Sequence, residues 1–208
     1  HLKGRFRREK KTSPRYHALS RPAVAEGEAI IRSLVMAEVT GARLYVVHIS
    51  TRQGADAVRA ARQRGLPVMG ETCPHYLLLT AAELSRPGFT GAKFVCSPPL
   101  RTREDNERLW RGLAEDDLQT VGTDHCPFNY KGQKDLGRHD YEKIPGGLPG
   151  IESRLALLYH YGVGAGRLSI NRWVEVCCAN PARIFGLYPR KGSLEPGADA
   201  DLVLFDPL

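Results

Sequence analysis

The chain has 208 residues, 42% hydrophobic and 25% charged, with a net charge of +7, the profile of a globular protein able to bury a sizeable core. No apolar run approaches the ~20 residues that cross a bilayer, and residues 1–11 lack the apolar centre of a signal peptide, so a cytoplasmic protein with no membrane partner is expected. The basic residues are spread along the chain apart from a cluster at 5–11, read as a solvated helix face, which argues against a nucleic-acid partner.

Residues 23–39 carry apolar side chains at helical intervals, through Ala25, Ala29, Ile30, Leu34, Val35 and Val39, until Gly41 supplies a stop. A short apolar run at 44–49 has strand length, 54–64 reads as a helix ended by Gly65, and 67–73 as the next strand. A Pro-containing loop and a short helix near 81–84 precede a third predicted strand at 92–96. Residues 103–113 form a charged amphipathic helix and 119–123 a fourth strand. Strand and helix alternate without hairpin signals, which calls for parallel pairing with right-handed crossovers. An open doubly wound sheet fits the alternation too, but no glycine-rich phosphate loop follows a strand.

Residues 128–150 make a long polar, glycine-rich loop, expected to border a pocket because it follows directly on Asp124. Helices are predicted at 151–161 and 170–178, with a further helical turn at 180–187. The end changes character: 191–194 and 197–205 read as short strands joined by Pro196-Gly197 turn chemistry.

Two strands end in side chains suited to metals, Val46-Val47-His48-Ile49-Ser50 and Val121-Gly122-Thr123-Asp124-His125. Barrels of parallel strands build their sites in this way, with apolar residues inside and reactive ones at the carboxyl ends. A histidine and an aspartate so placed point to metal-assisted hydrolysis. Cys73, Cys96, Cys126, Cys177 and Cys178 show neither structural-zinc spacing nor disulfide density, and read as reduced, mostly buried thiols, with Cys126 a small packing residue.

In chain order, ALSRP (18–22), VVHIS (46–50), GETCP (70–74), CSPPLR (96–101), GTDHCP (122–127), KIPGGLPGIE (143–152), NPAR (180–183) and GSLEPGADAD (192–201) resemble the cyclic amidohydrolases of the dihydropyrimidinase and D-hydantoinase family. The resemblance implies an α/β metal-dependent hydrolase fold, a (β/α)8 TIM barrel. The chain would hold about its second half (1–186), then the start of a small β-sandwich domain (187–208). It further implies two divalent metals, usually zinc, bridged by a hydroxide and a carboxylated lysine. His48 matches a metal ligand, and Asp124 the aspartate that ligates the buried metal and shuttles the proton. Ser97 and Gly146 match positions that hold the substrate amide through main-chain groups, although the family more often has asparagine at Gly146.

The family's His-x-His motif, its lysine and a further histidine have no counterpart here and belong upstream, so a partial chain that needs its N-terminal half is expected. The family assembles as homotetramers or dimers. The expected reaction opens a dihydropyrimidine or 5-substituted hydantoin to an N-carbamoyl amino acid. The rival readings are allantoinase, dihydroorotase or a non-catalytic dihydropyrimidinase-like scaffold.

Residue chemistry supports these roles. Asp124 can ligate a cation, accept the proton of the attacking water and return it to the leaving nitrogen. Strand alternation turns only one of Asp124 and His125 to the mouth, so His125 is placed behind the metal ligands, and His75 reads as a structural loop histidine. Ser97 lacks a nucleophile elbow, and Pro98-Pro99 holds its main chain extended. Lys143 and Arg101 are placed either to steer an acidic product or as plain surface charges.

Overall fold

A computed structural model describes residues 1–206. Two short helices, α1 (Leu2–Arg8) and α2 (Arg15–Leu19), precede the long α3 (Ala23–Thr40), which stops where Gly41 turns left-handed at φ 69°. A side chain would be strained there, so the glycine ends the helix. Strand β1 (Leu44–Val46) leads to α4 (Arg52–Gln63), whose N-cap Thr51 accepts the Gly54 N–H on its hydroxyl. Strand β2 (Val68–Thr72) is followed by the short α5 (Pro74–Leu78) and by α6 (Arg103–Ala114). Thr102 and Asp105 close a reciprocal capping box at the start of α6, and β3 (Thr120–Val121) follows it.

The three strands pair in parallel in the order β1-β2-β3, with Leu44 opposite Val68, Val46 opposite Gly70, and Glu71 opposite Thr120. Successive strands are therefore neighbours joined by helical crossovers, as the alternation of the sequence requires. Along β2, Val68, Gly70 and Thr72 are buried while Met69 and Glu71 are half-buried, so one face packs on helices and the other is partly open. The packed face supplies the main core, with Ile49, Val58, Val68, Leu109, Leu113, Leu118 and Val121 all at or below 1% exposure. A second cluster joins Phe6 of α1 to Leu84, Ala92, Val95, Tyr141 and Ile144, and Phe6 is the buried residue of α1.

After β3, residues 134–137 and 141–143 make 3-10 turns inside the long loop. Helix α7 (Arg154–Leu158) widens into a π-turn at Tyr159–Val163, and α8 (Ile170–Val174) into another at Glu175–Ala179 before α9 (Asn180–Ile184). Among the described residues no helix is long and apolar enough to cross a membrane.

Three local expectations fail. Residues 92–96 are not a strand: Thr90–Phe94 is a 3-10 turn. Its amides bond within the turn, Ala92 N–H to Phe89 and Val95 N–H to Ala92, and β2 pairs directly with β3. The Pro-containing stretch after β2 is helical, with Pro74 at the first position, where its missing N–H costs nothing. Among the described residues of 187–206 there is no strand, only turns such as Lys191 N–H to Leu187 and Ala198 N–H to Glu195. Leu194, Leu202, Val203 and Leu204 are exposed, and among the described residues no strand pairs with them. Residues 207–208 of the predicted small domain lie outside the described residues.

Candidate active site

His48 lies two residues beyond β1 and Asp124 three beyond β3, and both adopt left-handed backbone, φ 43° and φ 45°. Few residues with a Cβ sit there, His and Asp more readily than most, and such strain gathers where a side chain must be aimed. The flanking strands lie two strand spacings apart, about 10 Å at the backbone. Both side chains bear on the junction of β2 and α5 between them. His48 acts electrostatically on His75, and Asp124 on Cys73 and Tyr76. His48 is half-buried and Asp124 exposed, and among the described residues neither side chain makes a hydrogen bond.

Carboxylates of two neighbouring elements hold the turn that follows β1. Glu71 accepts the Tyr45 hydroxyl at 2.8 Å and the His48 N–H at 3.3 Å, and the Tyr45 hydroxyl also meets the Thr120 hydroxyl at 2.6 Å. A Cβ on Gly122 would stand 2.5 Å from the Glu71 carboxylate, so this glycine gives Glu71 its place. Glu26 of α3 accepts the Ser50 N–H at 2.8 Å, the Thr51 N–H at 3.1 Å and both hydroxyls, and pairs with Arg101 at 3.1 Å. Arg101 is therefore a buried strut rather than a surface charge, whereas Lys143 is exposed. The sequence reading missed Glu26 and Glu71, and the one local hint is a carboxylate beside buried Gly27 and Ile30 on an inward helix face.

Ser97 and Gly146, far apart in sequence, are adjacent: a Cβ at Gly146 would lie 3.1 Å from the Ser97 hydroxyl. Both residues are exposed. Beneath them His17, 3% exposed, meets the Cys96 carbonyl at 2.9 Å and the Ser97 hydroxyl at 3.3 Å through Nε2. Burial, and then the Arg21 charge, lowers the His17 pKa to about 4. The ring is neutral at physiological pH, and its Nε2 carries the hydrogen for the carbonyl.

His125 accepts the Gly150 N–H at 3.0 Å and the Ile151 N–H at 3.3 Å on Nδ1, while the Cys126 N–H donates to Leu148. It ties the 148–151 loop to the end of β3. Strand alternation does not reach His125, because β3 ends at Val121 and both Asp124 and His125 are exposed. His75 is in α5, 8% exposed, with Nε2 lacking a partner; burial, then the His48 charge, lowers its pKa to about 4.

All five cysteines are free, with Cys126 and Cys178 exposed, so Cys126 is not a packing residue. Burial pushes the Cys96 thiol up to about 12, and burial followed by the Glu71 and Asp124 charges raises Cys73 as well. Neither is a thiolate at neutral pH.

A hollow of about 790 Å³, lined by Leu78, Phe94, Trp110, Phe128, Leu148 and Tyr161 among others, touches none of His48, Asp124, Ser97 and Gly146. Of those four, Asp124, Ser97 and Gly146 are exposed and His48 is half-buried. Among the described residues no three His, Cys, Asp or Glu side chains gather as a metal-ligand set. An imidazole and a carboxylate free of hydrogen bonds at one rim are nonetheless the donor chemistry that zinc-type ions take.

The model of the Amidohydrolase family matches residues 25–208. The chain is 54% identical over 196 residues to a D-hydantoinase of Streptomyces coelicolor, covering 94% of this chain and 42% of that protein. It is 50% identical to a D-hydantoinase of Geobacillus stearothermophilus with the same coverage. The crystal structure of a dihydropyrimidinase from Brevibacillus agri superposes with a TM-score of 0.94 at 46% identity, covering 96% of this chain and 43% of that one. The chain thus spans about two fifths of the length of these relatives.

Proposed function

From the premise that this chain belongs to the amidohydrolase family, we propose that the whole protein hydrolyses a cyclic amide, opening a dihydropyrimidine or 5-substituted hydantoin to an N-carbamoyl amino acid. The fold of this chain is part of the metal-dependent hydrolase (β/α)8 barrel, to which its described residues contribute three parallel strands. We assign residues 1–186 to that barrel and 187–208 to the start of the small β domain.

One observation carries the reading. His48 and Asp124 share an uncommon left-handed backbone at the ends of β1 and β3, and both bear on the 73–76 junction between them. His48 would hold one of two divalent metal ions through a ring nitrogen and Asp124 through its carboxylate, with zinc the metal proposed. The remaining ligands, among them the bridging carboxylated lysine, would come from the length of the relatives that this chain does not span. A bound metal supplies hydroxide at neutral pH by lowering the pKa of water from about 15.7 toward about 7.

The chain's own residues do the rest. Ser97 and Gly146 hold the ring amide by main-chain groups, and the missing Cβ at Gly146 leaves that face open. Asp124 accepts the proton of the attacking water and delivers it to the ring nitrogen as the C–N bond breaks. His125 steadies the 148–151 loop beside it. We place the protein in the cytoplasm as a homotetramer or dimer acting on a small-molecule substrate.

Metal analysis and a substrate panel on the whole protein test this. Bound divalent metal with hydantoin or dihydropyrimidine turnover, both reduced in Asp124→Ala, is the expected result. Preference for allantoin or dihydroorotate would reassign the substrate. An absence of metal and activity would favour a non-catalytic scaffold.

A further inference from the structure

Lys134 begins a 3-10 turn in the long loop after β3, yet its side chain is buried, at 3% exposure for the residue. No carboxylate among the described residues pairs with it. Its ammonium instead donates to the Val95 carbonyl at 2.8 Å and to the Gly147 carbonyl at 3.0 Å. The Gly147 N–H in turn donates to the same Val95 carbonyl at 3.0 Å. Val95, Gly147 and Lys134 so form a closed ring of three hydrogen bonds, in which the Val95 oxygen accepts two.

This ring lies directly behind the amide-holding pair. Val95 precedes Ser97 by two residues, and Gly147 follows Gly146. Gly147 itself is closely packed, since a Cβ there would fall 2.2 Å from the Cys126 carbonyl. A hydrophobic residue at 134 could fill the space but would leave two carbonyls without these donors, and burying a lone ammonium is costly unless its hydrogens are used. Burial lowers the Lys134 pKa to about 8, with Cys96 and Cys126 the opposing influences. At neutral pH the ammonium is retained.

We propose that Lys134 is a positioning residue that fixes the spacing of the Ser97 and Gly146 main chains through the two carbonyls it holds. This rests on the assignment of Ser97 and Gly146 to the substrate amide made above. Because the lysine reaches neither metal ligand by hydrogen bond, its loss should loosen the grip on substrate and leave the metal centre intact.

The test is Lys134→Met in the whole protein, with hydantoin as probe. KM should rise about 10-fold while kcat and bound metal are kept, the pattern of lost ground-state binding. Hydrogen exchange at the Gly147 amide should quicken with it. Lys134→Arg, which keeps donors, should recover part of the KM, and Lys134→Gln takes the place of Lys134→Met if the latter does not fold. An unchanged KM in a folded variant, or a fall in kcat and metal content with KM kept, overturns the proposal. Were the wild type to open no cyclic amide, the functional reading would fail by itself. Exchange at Gly147 would then judge Lys134, unchanged protection counting against it.

Discussion

Replacing Glu26 by alanine should cost more stability than any single surface ion pair could. The Glu26 carboxylate, on a side chain 12% exposed, takes the main-chain N–H groups of Ser50 and Thr51, both their hydroxyls, and the Arg101 guanidinium, whose side chain is 8% exposed. Arg101 keeps two other partners, the Arg21 carbonyl at 2.6 Å and the Ser50 hydroxyl at 3.1 Å, but neither carries charge. The substitution therefore strands a buried cation and two main-chain donors. Breaking a buried pair by deleting one partner costs about 3–5 kcal/mol, a large share of the roughly 5–15 kcal/mol that holds a typical domain. Urea unfolding of the whole protein, followed by far-UV circular dichroism, measures it. Glu26→Leu combined with Arg101→Met should recover much of the loss, because no charge is then left unpaired. The turn released is the one that presents His48, so bound metal should fall alongside stability. A loss below about 1 kcal/mol in Glu26→Ala, or no recovery in the double variant, would refute the reasoning.

Acid should act on His17. Its folded pKa of about 4 is below the ordinary 6.5, so the folded state binds the proton less readily than the unfolded one. The contribution of the neutral ring is present above pH 6.5 and is lost as pH falls toward 4, amounting to about 3 kcal/mol. His17→Gln keeps a donor for the Cys96 carbonyl and should flatten the stability profile over that window; parallel profiles would contradict the assignment. Gly91→Ala places a Cβ 2.3 Å from the Leu84 carbonyl oxygen, where backbone must move, and should cost about 1–3 kcal/mol in thermal or urea melts; a neutral result would show that the 3-10 turns Ala81–Ser85 and Thr90–Phe94 separate freely. Leu109→Ala, at a fully buried core position, should cost about 2–5 kcal/mol, and a cost under about 1 kcal/mol would mean that the core closes over the gap.

The sequence by itself determined the parallel alternation of β1, α4, β2, α6 and β3, because hydrophobic period and glycine stops are local signals, and Gly41 and Thr102-Asp105 end and begin helices by their own backbone chemistry. It also marked His48, Asp124, Ser97 and Gly146, through short motifs at strand ends and around Pro98-Pro99. It did not reveal that 92–96 lacks a strand and that Thr90–Phe94 turns as a 3-10 helix. An apolar run of that length suits a strand equally well, and the direct pairing of β2 with β3 decides against one. Nor did it show that 191–194 and 197–205 lack strand pairing, since a strand exists only beside another strand. Glu26, Glu71, Arg101 and Lys134 were beyond local reading for the same reason. Each acts on a residue at least 23 positions away, or on a carbonyl that any residue type could supply, and only the packing of α3 and the long loop against the strand ends brings those partners together.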